Sequence, residues 1–304
     1  MTDSTTTVRF RSSLRALAVL PALLLPGCDL LVLHPFGEIA RRQGHLILFS
    51  TFLMLLIVVP VLALTLLFAW RYRSSNTGAT YTPDWDHSTA LELLIWSAPL
   101  FIIIALGAMT WINTHTLDPY RPMTASAAGR PAAGVPPAPS SQETLVVEVV
   151  ALDWKWLFIY PAQGVATINE LSAPINVPIH FKITSSSVMN SFFIPALAGQ
   201  IYAMPGMQTE LNAVINQIGT YDGFSANYSG AGFSGMRFKF HGMSHSDFDR
   251  WVTQTRKDGS ALTDADYRQL AKPSEREPVH HYASVADGLY RNILRQCPIG
   301  APAC

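Results

Sequence analysis

Hydrophobic and polar positions divide this chain into unlike stretches. Leu14 to Leu25 is a short apolar run behind Arg9, Arg11 and Arg15. At about 12 residues it is too short to cross a bilayer, and a basic flank before a short apolar core is the pattern of a secretory signal. Leu46 to Trp70 is predominantly apolar and carries no charge. At a rise of about 1.5 Å per residue it reaches roughly 37 Å, which predicts a tilted transmembrane helix. Pro60 predicts a kink near its middle. Leu91 to Ile112 predicts a second span, charged only at Glu92. Trp70, Tyr72 and Trp111 stand near the span ends and Trp96 a turn inside, as interfacial aromatics do.

From Thr144 the period changes. Thr144 to Val150 alternates weakly and runs into Asp153-Trp154-Lys155-Trp156. Ile175, Val177, Ile179, Phe181 and Ile183 alternate with polar residues or Pro178, predicting a half-buried strand at a sheet edge. Met236, Phe238 and Phe240 alternate with Arg237 and Lys239, and Pro205-Gly206, Ile218-Gly219 and Asp222-Gly223 read as punctuation between strands. Short strands at this spacing predict an antiparallel β-sandwich. Residues 121–142 are rich in Ala, Pro and Ser and predict an extended linker. Residues 246–304 are polar and mixed. Helices are expected from Ser246, as N-cap, and over Thr263 to Leu270. The expected architecture is a two-span transmembrane α-helical hairpin, an all-β sandwich and a short α-helical tail.

Composition narrows the function classes. Lys plus Arg is 21 and Asp plus Glu is 21, a net charge of zero, so nothing electrostatic points to nucleic acid. Charged residues are 14% against 49% hydrophobic, and the apolar excess belongs in the spans. Cys28, Cys297 and Cys304 are the only cysteines, with no CxxC pair. That excludes a disulfide-rich scaffold and a zinc ribbon. Cys297 and Cys304 stand as either a small loop disulfide or free thiols.

Leu25-Pro26-Gly27-Cys28 resembles the lipobox of bacterial lipoproteins, in which the Cys thiol is diacylated and becomes the new N-terminus; Pro26 departs from the usual pattern. Asp29 resembles the signal that retains Gram-negative lipoproteins in the inner membrane. Lys/Arg counting leaves the orientation open, with Arg41 and Arg42 on one side and Arg71 and Arg73 on the other. The signal decides it: Cys28 outside, residues 71–90 a cytoplasmic loop, and everything after about Asn113 outside. The resulting segments are 1–27 signal peptide, 28–45 external segment, 46–112 hairpin, 113–142 linker, 143–245 periplasmic sandwich and 246–304 tail. By position alone Glu92 fits two readings equally: a carboxylate at a helix N-terminus or a functional group facing protein or water.

The order of signal, two spans, linker and sandwich resembles subunit II of the haem–copper terminal oxidases over roughly residues 28–270. The most specific stretches are Leu152-Asp153-Trp154-Lys155-Trp156, Val188-Met189-Asn190-Ser191-Phe192-Phe193-Ile194-Pro195 and Gly219-Thr220-Tyr221-Asp222-Gly223-Phe224-Ser225. The resemblance implies a Greek-key cupredoxin fold. In the cytochrome c oxidase branch that domain holds a dinuclear copper centre. Its ligand positions fall here on Asn190, Ser225, Asn227, Ser229, Phe233 and Met236. Hydroxyls, amides and a phenyl ring cannot replace soft thiolates, and none of the cysteines lies within 143–255. Met236 reads as an ordinary core side chain. No metal is therefore expected in this chain, and no catalytic residue.

This pattern is similar to that of the bo-type ubiquinol oxidases, whose electrons come directly from membrane quinol. The resemblance implies a proton-pumping complex in which subunit I carries the haems, copper and main quinol site. The expected partners are subunit I, smaller membrane subunits and membrane lipid. It also favours the functional reading of Glu92, at the mouth of a proton pathway near Trp96 and Pro99. Two rivals remain: a menaquinol-oxidising relative, and a free-standing copper-less lipoprotein acting as scaffold or chaperone. His241 with His245 reads as a solvated loop and His280-His281 as surface residues, rather than as metal ligands, and His180 as exposed. Trp154 and Trp156 are divided between core packing and contact with subunit I.

Overall fold

The computed structural model describes residues 32–33, 35–80, 82–121 and 144–297. The signal segment, Cys28, Cys304 and most of the Ala/Pro/Ser-rich linker lie outside them.

Two helices come first. Helix α1 spans Glu38–Arg71 and α2 spans Thr89–Thr116, 34 and 28 residues. Their most apolar windows have mean hydropathies of 2.9 and 2.2, and almost nothing on them is buried by described residues. Such surfaces belong in lipid or against other membrane proteins. Both exceed the expected spans, because each continues through a polar end. Glu38 opens the first turn of α1, paired at 3.1 Å with Arg41 and 2.9 Å with Arg42. Helix α1 runs on through Pro60 and α2 through Pro99. The start of α1 and the segment after α2 are tied to the sandwich. Phe36 and Gly37 donate their N–H groups to the Ala196 carbonyl at 3.1 and 2.8 Å, and the Pro119 carbonyl accepts from Asn212.

Twelve strands follow: β1 Leu145–Leu152, β2 Lys155–Tyr160, β3 Val165–Ile168, β4 Glu170–Pro174, β5 Ile179–Ser185, β6 Asn190–Phe193, β7 Ile201–Ala203, β8 Thr209–Ala213, β9 Gly219–Ser225, β10 Arg237–Met243, β11 Ser260–Leu262 and β12 His280–Val285. They form a sheet ordered β11-β12-β3-β2-β1-β5-β8 and a second ordered β4-β10-β9-β6-β7. Between the sheets lies an aromatic core. Phe192 stacks on Phe238 at 5.4 Å and 3°, with Trp156, Phe158 and Phe181 at 5.0–6.3 Å around them.

Three strand expectations change. The sheets are mixed: β1 with β5, β4 with β10, and β11 with β12 run parallel. The stretch 175–184 is not one edge strand. Asn176 turns the chain at φ 60°, and β5 starts after Pro178 and lies between β1 and β8. Pro178 therefore stays out of the ladder its missing N–H would break. Asp222-Gly223 is no turn; Gly223 sits within β9, opposite Phe238.

The tail is more than helices. Helix α3 (His245–Asp258), α4 (Asp264–Leu270) and α5 (Leu289–Leu294) alternate with β11 and β12, which extend the first sheet beyond β3. The N-cap of α3 is Ser244, whose Oγ accepts from the Asp247 N–H at 3.2 Å, rather than Ser246. Thr263 and Asp266 form a capping box on α4. Leu262, Tyr267, Leu289, Tyr290 and Ile293 cover Val150, Leu152, Leu157, Ile159 and Ile168. Around β2 and β3 the first sheet is thus buried on both faces, with Trp156, Phe158 and Tyr160 turned to the opposite face from Leu157 and Ile159. Cys297 is buried and disulfide-bonded.

Candidate functional sites

The six positions aligned with copper ligands sit where β6 and β9 meet the loop 225–236. Asn190 opens β6 and is 1% exposed; Ser225 closes β9 and is 3% exposed. Strand pairing sets Phe192 opposite Ser225, which brings the two polar side chains together. The Ser225 hydroxyl lies 3.1 Å from Asn190 Oδ1 and 3.3 Å from the Asn227 carbonyl, and its oxygen accepts from the Ser191 N–H at 3.4 Å. With one proton it serves one of those two acceptors at a time. Asn190 Nδ2 donates back to the Val188 carbonyl at 3.1 Å. Asn227 Nδ2 lies 3.4 Å from the Met189 carbonyl and 3.2 Å from the Tyr228 carbonyl.

Among the described residues the side chains of Ser229, Phe233 and Met236 make no hydrogen bond with those of Asn190 and Ser225; a backbone hydrogen bond joins Met236 to Ser225. The Ser229 carbonyl accepts from Trp154 Nε1 at 3.0 Å, while Ser229 Oγ is buried without a partner among the described residues. Phe233 begins a 3-10 turn over Phe233–Gly235 and packs edge-on against Tyr228 at 5.7 Å. Met236 is 1% exposed, and its carbonyl accepts from the Ser225 N–H at 3.2 Å.

The donors present are amides, hydroxyls and one thioether. Asn190 and Ser225 direct their polar atoms at each other and at backbone, as a folded polar network does. That donor set does not fit a dinuclear copper centre, which thiolates and imidazoles hold. Among the described residues no group of three or more His, Cys, Asp or Glu is placed to hold a metal ion.

The second candidate is the start of α2. Ser88 is the N-cap, so His87 stands at N′ and Glu92 at N4. His87 Nδ1 lies 2.8 Å from Glu92 Oε1, and His87 Nε2 lies 3.1 Å from Thr89 Oγ1. Both side chains are more than half exposed. Glu92 stands out in the sequence as the one charge in an apolar span, whereas His87 lies in a polar stretch and does not. A signal existed: N′ and N4 are the positions whose side chains meet across a helix start.

A third cluster escaped the sequence reading. Lys155, 1% exposed, donates Nζ to the Lys272 carbonyl at 2.9 Å, Ser274 Oγ at 2.5 Å and the Asp153 carbonyl at 3.3 Å. Burial pushes its ammonium below the ordinary lysine range. Glu277 is held low chiefly by the Ser274 hydroxyl, 2.5 Å away. The single charged letter in Trp154-Lys155-Trp156 was the available sign. Trp154 lies across Gly230 and Gly232, where a Cβ would meet its ring at 2.8 and 2.6 Å. Trp156 is fully buried in the core.

His241, His245 and His180 are placed differently from expectation. His241 lies within β10, 3.0 Å from Thr220 Oγ1, and His245 opens α3; neither is in a loop. A helix start and an alternating strand give each residue a backbone role. His180 is partly buried, 2.8 Å from Asn212 Oδ1. His280 and His281 lie on β12, 3.2 Å from Glu277 and 3.3 Å from Glu170.

Residues 145–242 match the model of the cytochrome c oxidase subunit II periplasmic domain, and residues 256–300 match the COX aromatic-rich motif. The cytochrome bo(3) ubiquinol oxidase subunit 2 of Pseudomonas putida is 49% identical over 92% of this chain and 85% of its own length. The ubiquinol oxidase subunit 2 of Acetobacter aceti is 49% identical over 90% and 84%. The chain belongs to the ubiquinol oxidase subunit 2 family. It is therefore a subunit of a haem–copper oxidase complex, anchored to a membrane by its two apolar helices. A quinol oxidase subunit 2 of Bacillus cereus is 36% identical over 83% of this chain. The aromatic-rich motif spans the tail segment whose Tyr267, Tyr282 and Tyr290 pack on the sandwich.

Proposed function

We propose that this chain is the copper-less second subunit of a proton-pumping ubiquinol oxidase in a bacterial inner membrane. The sandwich and tail stand in the periplasm, and Cys28 carries a lipid. Two quinols reduce one dioxygen to two waters, giving two quinones. The haems and copper that carry those electrons belong to subunit I. This chain anchors to subunit I and the smaller membrane subunits, and supplies no redox centre. The observation that carries the reading is the Asn190–Ser225 pair at aligned copper positions, in a chain half identical to ubiquinol oxidase subunits along nearly all its length. Electrons taken from quinol in the membrane need no copper relay in the periplasm. Metal analysis and a visible spectrum of the chain, purified away from the other subunits, test this. No copper is expected; one dinuclear centre per chain, with thiolate-to-copper absorption, would overturn it.

Glu92 admits protons from the cytoplasmic side. Its carboxylate sits in the first turn of α2, half exposed, where a titrating group can exchange protons with water. Glu92→Ala is expected to slow quinol-driven oxygen consumption about tenfold, less than the loss of a direct general acid, since water at an open mouth substitutes in part. Haem content, read from the visible spectrum, stays normal. A carboxylate serving only the helix N-terminus predicts unchanged turnover and a stability loss of about 0.3–1 kcal/mol. Normal turnover of Glu92→Ala across a wide pH range would reject the proton role.

A further inference from the structure

We propose that His87 is a positioning residue for Glu92, fixing the carboxylate at the start of α2 so that proton entry uses one of its oxygens. The inference rests on the proton role of Glu92. The imidazole is held at both nitrogens, Nδ1 on Glu92 Oε1 at 2.8 Å and Nε2 near Thr89 Oγ1 at 3.1 Å. A carboxylate only accepts, so Nδ1 carries the proton of that contact. When the ring is neutral, Nε2 accepts from the Thr89 hydroxyl; when it is charged, Nε2 donates to the same oxygen. The grip on Glu92 survives either state. Two-point attachment fixes the ring plane, and with it the χ angles that a half-exposed glutamate would otherwise sample freely.

Only Oε1 is taken. Glu92 Oε2 meets no donor among the described residues and faces exchange with water. The loop's basic residues do not compete for it. Arg73 donates to the Trp70 carbonyl and Ser75 Oγ, and Arg71 lies over the Tyr72 ring. Positions N′ and N4 meet by backbone geometry alone. Apolar side chains usually fill them, and here a donor and an acceptor do.

The test uses the assembled oxidase in four forms besides wild type: His87→Ala, His87→Asn, Glu92→Ala and the His87→Ala/Glu92→Ala double. Quinol-driven oxygen consumption is measured beside haem content. His87→Ala is expected to slow turnover about threefold, the scale of one exposed ionic hydrogen bond. His87→Asn, whose amide N–H stands near the place of Nδ1, recovers most of the rate. In the Glu92→Ala background, His87→Ala costs nothing further, because its target is gone. Should the alanine variant lose haem, His87→Phe, a ring without the donor, carries the same expectation. Normal turnover in His87→Ala beside a slow Glu92→Ala overturns the positioning role and leaves the proton role standing. Equal slowing by His87→Ala with and without Glu92 also overturns it. Normal turnover in Glu92→Ala overturns both.

Discussion

Gly223 shows what one missing side chain permits. It lies directly opposite Phe238 in the β9–β10 pair, and a Cβ there would overlap the Phe238 ring. That ring stacks on Phe192 at the centre of the core. Gly223→Ala must therefore displace the stack or the strand, at a cost of about 1–3 kcal/mol as overpacking. Phe192→Ala empties the same place from the other side and costs about 3–5 kcal/mol. Thermal unfolding of the purified chain in detergent measures both, and an unchanged melting temperature for Gly223→Ala would contradict the packing. The residue was visible in sequence but its role was not. Asp-Gly is a strong turn signal in local chemistry, whereas the reason for this glycine is a ring fifteen positions away in sequence. Asn190 and Ser225 were legible as substitutions only through a family resemblance; that they bond to each other follows from strand register.

At the scale of elements, the same limit explains the first sheet. Val149 to Leu152 is an unbroken apolar run because that end of β1 is covered twice, by the second sheet and by the tail. A strand buried on both faces loses the alternation that marks a half-exposed one. The two apolar helices and the capped start of α4 were legible because their signals are local. The docking of β11 and β12 was not, since their partners are remote. Lys155 and Glu277 lock that docking, Lys155 by donating to Lys272 and Ser274, and Glu277 by accepting from Ser274. Lys155→Met removes the donor and leaves acceptors at the Lys272 carbonyl and Ser274 unmatched, at a cost of about 1–3 kcal/mol. Glu277 adds a pH dependence. Its folded pKa is lowered, so its stabilisation is full above the unfolded value of about 4.3 and is lost as pH falls through the lower folded value. Melting temperatures taken from about pH 5 down to about pH 3 should therefore fall more steeply for wild type than for Glu277→Gln. Parallel curves would show that Glu277 contributes nothing to the lock.

For the whole molecule, the governing fact is that a β-sandwich domain hangs on two long apolar helices. At about 1.5 Å per residue, α1 and α2 reach roughly 51 and 42 Å, both beyond a hydrocarbon core of about 30 Å. The start of α1 and the segment after α2 are hydrogen-bonded to the sandwich through Phe36, Gly37 and Pro119, so the domain's place is set by the helices as well as by any lipid. An acyl group contributes about 0.8 kcal/mol per buried CH₂, and a single chain binds a membrane only marginally, whereas a transmembrane helix is inserted in effect irreversibly. With Cys28 lipidated, as proposed, the mature chain starts there, and mass spectrometry of the N-terminal peptide would find a diacylated Cys28. Cys28→Ser removes the acyl groups and leaves both helices. The variant chain is expected to stay in the membrane fraction through an alkaline wash, and to support quinol-driven oxygen consumption within about twofold of wild type, because what the acyl chains add is small beside two inserted spans. Release of Cys28→Ser chain by the wash would mean that α1 and α2 do not hold it, and the membrane-spanning hairpin would have to be abandoned.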